Sequence, residues 1–439
     1  MPPLLRSAVY ALVLSFIALS MTVTVAVAQN DAPAQRPPVA APQGPVVELR
    51  DLVRELVQNN PEVRAAQYRL EAAGKRPEQV STLPDPTVAY ADFGVGRPFS
   101  ALGVSNFAYR AVGVAQEIPY PGKLALAGEE ARKEVASEEA MLRTTLLDAI
   151  SRLKLAYYDW FAVAKAIEIT NRNRDLLDRL ERIARARYGV GTGIQADVLK
   201  AQVDLSGLSQ QLEILEQRKS SLEARINALL NRSLETPLGQ PGNVTRSSFE
   251  ADLETLLDDV RRNSPQLQSR RSIVETRQVG VERARKEYFP DFNFSFQWQR
   301  TASIFPDYYM ATAEARIPLY FWRKQRLGVE EANARLQEAE QSEQAVLQEL
   351  LFTAKDQYLV AKTSQRLLAL YETGIIPQSA LSLESATAAY EVGRVDFLTL
   401  INNLTTLLNF EMQYYDELAR HEQALARLEP LVGRQLTQP

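Results

Sequence analysis

Two periodicities divide the chain. From Leu142 the apolar positions run Leu146, Ile150, Leu153, Tyr157, Phe161, Ala164 and Ile167, in steps of three and four. That spacing marks one face of a helix. No proline or glycine cluster interrupts 123–188, so the run predicts a rod of about 100 Å. The stretch 194–230 repeats the pattern with Leu205, Leu208, Leu212, Leu215, Leu222, Ile226 and Leu229. Further helices are expected near 249–287, 323–390 and 394–429. An irregularity is expected at Gly374-Ile375-Ile376-Pro377, because proline removes a helical donor. Such stripes predict coiled-coil-like packing.

Between the helices the period changes to two. Over 291–299, Phe292, Phe294, Phe296 and Trp298 alternate with Asn293, Ser295, Gln297 and Gln299. After a turn, Tyr309, Ala311, Ala313, Ala315 and Ile317 alternate with Met310, Thr312, Glu314 and Arg316 over 308–317. Alternation places one set on each face of a strand. Weaker equivalents lie at 87–95 and 107–118. A half-buried soluble sheet would carry branched aliphatics inside. An aromatic outer face, a polar inner face and strands of about ten residues instead fit a membrane β-barrel, with Phe292, Phe294, Phe296 and Trp298 toward lipid. Four strands cannot close a barrel, since single-chain barrels start at about eight. Open strand edges in lipid leave backbone groups unsatisfied. Strands that span a membrane here must therefore be pooled between chains.

The same landmarks occur twice, about 200 residues apart. VQNNPEVRAAQYRLEAAG (57–74) is echoed by RRNSPQLQSRRSIVETRQVG (261–280). AQEIPYPGKLALAGEEA (115–131) is echoed by EARIPLYFWRKQRLGVEEA (314–332). ARYGVGTGIQADVL (186–199) is echoed by AAYEVGRVDFL (388–398). Repeats in the same order predict one pseudo-symmetric protomer. Its halves are 48–232 and 248–430, joined by 233–247 and followed by a tail at 431–439. Each half reads as helix, β-hairpin, very long helix and helix.

Composition narrows the chemistry. The 439 residues include no cysteine and one histidine, His421. Thiolate metal sites, cysteine nucleophiles and multi-histidine centres are excluded, and no cofactor or metal site is expected. The single histidine, in LARHEQAL, reads as a solvated side chain at a polar helix end. Paired acids such as Glu129-Glu130 and Glu138-Glu139 are sequence neighbours that diverge on a helix, so they suit no shared substrate. The net charge of −4 gives no footprint for nucleic acid. Arg6, the apolar run Ala8–Leu19 and Ala26-Val27-Ala28 read as a secretory signal peptide over 1–28. A mobile Pro/Ala-rich leader is expected over 29–47.

The duplicated Asn/Ser-Pro helix starts, the Ile-Pro hairpin exits and the Tyr-x-x-Gly turns resemble those of the TolC-type outer-membrane efflux proteins, or outer membrane factors. The similarity covers about 48–430. It implies a mainly α chain with a small β part, assembled as a homotrimer. The trimer would form a 12-stranded outer-membrane barrel over a periplasmic α-helical barrel. It implies a passive duct in the outer membrane of a Gram-negative bacterium, lying in outer-membrane lipid. The expected partners are a periplasmic adaptor (membrane fusion) protein and an inner-membrane pump, RND-type pumps included. Pro119-Tyr120-Pro121-Gly122-Lys123 and Leu83-Pro84-Asp85-Pro86 are similar to the heavy-metal cation branch. Lipoylated members begin at a cysteine, so here the resemblance leaves anchoring to the barrel.

The resemblance also implies site residues. Val190, Gly191, Thr192 and Val392, Gly393, Arg394 fall at the periplasmic tip that meets the adaptor. Asp197 and Asp396 match the acidic positions that ring the entrance. The family's second acid, three residues on, is Lys200 in one half and Thr399 in the other, which departs from a double ring. Both aspartates also stand at helix starts, where an acid suits the dipole. A rival reading is a secreted or periplasmic coiled-coil scaffold without transport activity. It accounts for the helices but not for the aromatic strands or the repeat.

Overall fold

The computed structural model describes residues 45–94, 96–99, 108–301 and 306–436. The expected signal peptide and the leader up to residue 44 lie outside the described residues, as do 437–439 of the tail. Val46 and Val47, the last two residues of the expected leader, form strand β1. They pair in parallel with β4 (Gln240–Pro241), inside the joint between the halves. Tyr157 clamps this pairing by accepting from the Gly242 N–H and donating to the Val47 carbonyl, both at 3.0 Å. Burial pushes its phenol up to about 12, so the hydroxyl keeps the proton it donates.

The first half comprises α1 (Leu49–Asn59), α2 (Pro61–Ser81), β2 (Thr87–Phe93), β3 (Tyr109–Ile118), α3 (Lys123–Gly189) and α4 (Gln195–Leu229). The second comprises α5 (Leu253–Asn263), α6 (Pro265–Lys286), β5 (Asp291–Arg300), β6 (Tyr308–Arg316), α7 (Lys324–Leu370), α8 (Ile376–Glu391) and α9 (Phe397–Val432). Proline at the first helical position starts both α2 and α6. Asn60 caps α2 by accepting from Glu62 N and Val63 N at 2.9 and 3.1 Å. The 249–287 region is thus two helices, broken where Ser264 precedes proline and takes an extended conformation.

A π-turn at Tyr371–Ile375 separates α7 from α8. The N–H of Ile376 reaches back to the Tyr371 carbonyl. Pro377 lacks the N–H that would bond Thr373, and its ring crowds that carbonyl, so the preceding turn widens.

The four long strands form one antiparallel sheet in the order β2-β3-β5-β6. Its register pairs Tyr90 with Val112, Val112 with Trp298, and Trp298 with Tyr309. Val88 likewise meets Val114, Phe296 and Ala311 in turn. Directly paired residues share a face. One face is therefore apolar and aromatic across all four strands, and the other carries Asn293, Ser295, Gln297 and Gln299. The apolar face is uncovered: Phe294 is 49% and Trp298 56% exposed. Phe292, nearest the strand start, is half-buried.

The helical body holds the cores. Leu56, Leu153, Trp160 and Ile226 pack α1, α3 and α4, while Leu256, Leu350 and Leu425 pack α5, α7 and α9. Lys154 on α3 bonds both oxygens of Glu429 on α9 at 2.8 and 2.6 Å, with the pair almost fully buried.

His421 overturns its reading as a solvated side chain. It is 0% exposed. Its ring nitrogens lie 3.1 Å from the Ala361 carbonyl of α7 and 3.2 Å from the Ser247 carbonyl of the joint. The neighbouring Glu422 accepts from Ser247 N and Oγ, and burial pushes its carboxyl up. Local polarity was misleading because His421 falls three residues from both Leu418 and Ala424, on the face that α9 buries.

Candidate functional site

The helix-to-helix turns converge at one end of the molecule. A single apolar cluster there joins Leu177 and Leu180 of α3, Val198 of α4, Tyr390 of α8, and Phe397 and Leu400 of α9. The two turns have the same backbone construction. Thr192 N–H donates to the Arg187 carbonyl at 2.9 Å, and Arg394 N–H to the Ala389 carbonyl at 2.8 Å. Gly191 and Gly393 sit between at φ 77° and 75°. This is the six-to-one bond and left-handed residue that close a helix. The turn geometry thus accounts for both glycines.

It does not account for the valines. Val190 and Val392 are 76% and 69% exposed beside those glycines. Ile194 and Tyr188 are exposed nearby. An apolar rim on an outward-facing turn fits a surface that another apolar surface covers. A Cβ added at Gly191 meets nothing within 4 Å, whereas one at Gly393 lies 3.2 Å from Arg187 Nη2.

Arg187 bridges the turns, a role that sequence reasoning missed. Its guanidinium donates to the Tyr390 carbonyl at 2.5 Å and lies 4.8 Å from the centre of the Tyr390 ring. The matching position in the other half is Ala389, so the arginine breaks the repeat. That asymmetry was the one available signal. Tyr390, the first residue of its Tyr-x-x-Gly turn, is half of this bridge and is buried.

The two aspartates differ. Asp396 caps α9, accepting from Thr399 N at 3.3 Å. Hydrogen bonding from Thr399 holds its carboxyl below the usual range. Asp197 lies in the first turn of α4. Burial pushes its carboxyl up, Arg187 opposes this, and the negative charge of Asp396 adds to it. The same Asp197 charge, after burial, raises the Tyr390 phenol. Asp197, Asp396, Arg187 and Tyr390 thus form one electrostatic group beside the two helix-to-helix turns. Among the described residues, no group of three His, Asp or Glu side chains could hold a metal, and no helix is long and apolar enough to cross a membrane.

The model of a family described as "outer membrane efflux protein" matches residues 52–232 and 256–434, one segment per half. The chain is 23% identical over 286 residues to the cobalt-zinc-cadmium resistance protein CzcC of Cupriavidus metallidurans, covering 64% of this chain and 66% of CzcC. It is 22% identical over 280 residues to the toluene efflux pump outer membrane protein TtgC of Pseudomonas putida, covering 59% and 54%. The matches thus span between about half and two thirds of these curated relatives. In structure it is similar to the outer membrane protein VceC of Vibrio cholerae, with a TM-score of 0.76 at 18% identity, covering 89% of this chain and 97% of VceC. It is similar also to the open-state MtrE outer membrane channel of Neisseria gonorrhoeae, with a TM-score of 0.76 at 14% identity and 89% of each chain covered. Matched by the family model in both halves, the chain belongs to the outer membrane efflux protein family.

Proposed function

We propose that three copies pool their strands into a 12-stranded barrel and act as the outer-membrane duct of a tripartite efflux system. The observation that carries this is the uncovered apolar face shared by β2, β3, β5 and β6, bounded by two open edges. Hydrocarbon suits the face, and neighbouring copies suit the edges. Phe292, Phe294, Phe296 and Trp298 then face lipid, and Gln297 faces the lumen. The helical body continues the duct into the periplasm, where a pump and its adaptor supply energy and cargo. Metal cations are the cargo we favour, on the 83–86 and 119–123 motifs and on the name of CzcC; TtgC's name makes organic solvents the alternative. A coiled-coil scaffold leaves the aromatic face without a purpose.

In this reading the tip residues Val190, Gly191, Thr192, Val392, Gly393 and Arg394 receive the adaptor, and Asp197 and Asp396 line the entrance. Gly191→Glu and Gly393→Glu are expected to abolish export and adaptor crosslinking while leaving the amount of trimer unchanged. Positive φ favours glycine, so each change adds strain on the order of 1 kcal/mol, too little to unfold the body. Gly191→Asn, which tolerates that conformation, separates strain from charge and should retain export. Asp396→Asn keeps a capping side chain but removes its charge, and should weaken the cation preference of the reconstituted pore. Normal export in both glutamate variants would remove the tip assignment. Unchanged selectivity in Asp396→Asn would leave that residue a helix cap alone.

A further inference from the structure

The two halves leave their strands through turns that share one backbone hydrogen bond, although the first carries Gly122 at φ 94° where the second has Trp322. After β3, Lys123 N–H donates to the Tyr120 carbonyl at 3.1 Å. After β6, Arg323 N–H donates to the Tyr320 carbonyl at 3.0 Å. Tyr120 and Lys123 therefore correspond to Tyr320 and Arg323, and Gly128 to Gly328 keeps the same offset.

In the first half this exit is locked to the entry of the neighbouring strand. Tyr120 N–H donates to Asp291 Oδ1 at 2.9 Å. The Tyr120 ring stacks on Phe289 with centroids 4.5 Å apart. Lys123 Nζ bonds Asp291 Oδ2 at 3.0 Å, with Glu287 and the Phe289 carbonyl each at 3.3 Å. The Lys123 side chain is nearly buried by these partners.

The second-half exit repeats the tyrosine and, as an arginine, the cation, but its Tyr320 ring meets Trp322 of the same turn, with centroids 6.1 Å apart, in place of a strand entry. Tyr320 is 71% exposed, and Arg323 is exposed beside it. Among the described residues Arg323 forms no ion pair. The reason is topological: β6 is an edge of the sheet. The entry that would answer it stands at the opposite edge. Leu83-Pro84-Asp85, leading into β2, repeats Phe289-Pro290-Asp291, leading into β5. Leu83 and Asp85 are exposed, and Asp85 also lacks an ion pair among the described residues.

We infer that Tyr320 and Arg323 of one copy grip Leu83 and Asp85 of the next, as a between-chain version of the Lys123–Asp291 lock. The occupant is a second copy of this chain because the chain carries the matching half of the lock at its other edge. Such a head-to-tail contact, repeated, closes a ring when its rotation returns to the starting copy, as a pooled barrel requires. It also gives β6 of one copy an antiparallel neighbour in β2 of the next, as β3 has in β5. This inference rests on the pooled-strand barrel and adds the residues that set its register.

The chain has no cysteine, so an Asp85→Cys/Arg323→Cys double variant carries the only two thiols. A disulfide demands closer backbones than an ion pair does, so a short bis-methanethiosulfonate linker is the probe, applied to protein in outer membranes. The expected result is a ladder of covalent dimers and trimers in the double variant and none in either single variant. A second arm uses charge: Asp85→Arg should lower the heat resistance of the assembly, and Asp85→Arg/Arg323→Asp should restore it. Copy number in mild detergent separates the two layers of the argument. Three copies without a ladder and without charge rescue overturn the lock but keep the barrel. A single copy overturns both. Labelling of the Arg323→Cys variant by a bilayer-dissolved maleimide, with no ladder in the double variant, places the loop against lipid and overturns the lock.

Discussion

Replacing Lys154 with methionine is expected to lower the unfolding free energy of the helical body by about 3–5 kcal/mol. The ammonium bonds both oxygens of Glu429 at 2.8 and 2.6 Å, with almost no solvent beside either side chain. Methionine keeps much of the volume, so the loss comes from a buried carboxylate deprived of its counter-charge. The pair joins α3 to α9 and hence one half of the repeat to the other. Glu429 also accepts from Leu436 N at 2.9 Å. Glu429→Gln preserves an acceptor there, so Lys154→Met/Glu429→Gln should be more stable than Lys154→Met alone. Denaturant unfolding followed by circular dichroism checks both. Equal stability of Lys154→Met and the parent would mean that the pair does not hold α3 to α9.

The second large effect concerns the sheet. Phe294→Arg is expected to cost about 2–4 kcal/mol, as a cation near the bilayer midplane does in membrane barrels. Gln297→Arg should cost little, because alternation along β5 turns residue 297 to the opposite, polar face. The comparison is informative because both variants place the same side chain in the same strand, three residues apart. Folding yield in vesicles of defined thickness is the measurement. Equal yields would mean that the aromatic face does not meet hydrocarbon.

The strands could be read from sequence because a two-residue period needs only the chain itself. Phe292, Phe294, Phe296 and Trp298 occupy β5, at Asp291–Arg300. The long helices were equally legible, since nothing between Lys123 and Gly189 breaks a helix. What sequence could not supply was the approach of distant segments. His421 looks polar in its local setting, yet it is buried between Ala361 and Ser247, 60 and 174 residues away. Arg187 reaches Tyr390 across 203 residues. Pro377 marked an irregularity, but the widened turn lies upstream at Tyr371–Ile375, because proline disturbs the carbonyl four residues before it. Gly191 and Gly393 were visible as turn residues. That the turn explains the glycines and leaves Val190 and Val392 unexplained required the backbone.

The pooled-strand barrel is the claim from which the duct, the tip and the between-chain lock all follow. One sheet with an apolar face and two open edges cannot remain single in a membrane. Native mass spectrometry of protein extracted from outer membranes in mild detergent counts the copies directly. Three copies per particle, with no folded single chain, is the result expected. A folded, monodisperse single copy would contradict it.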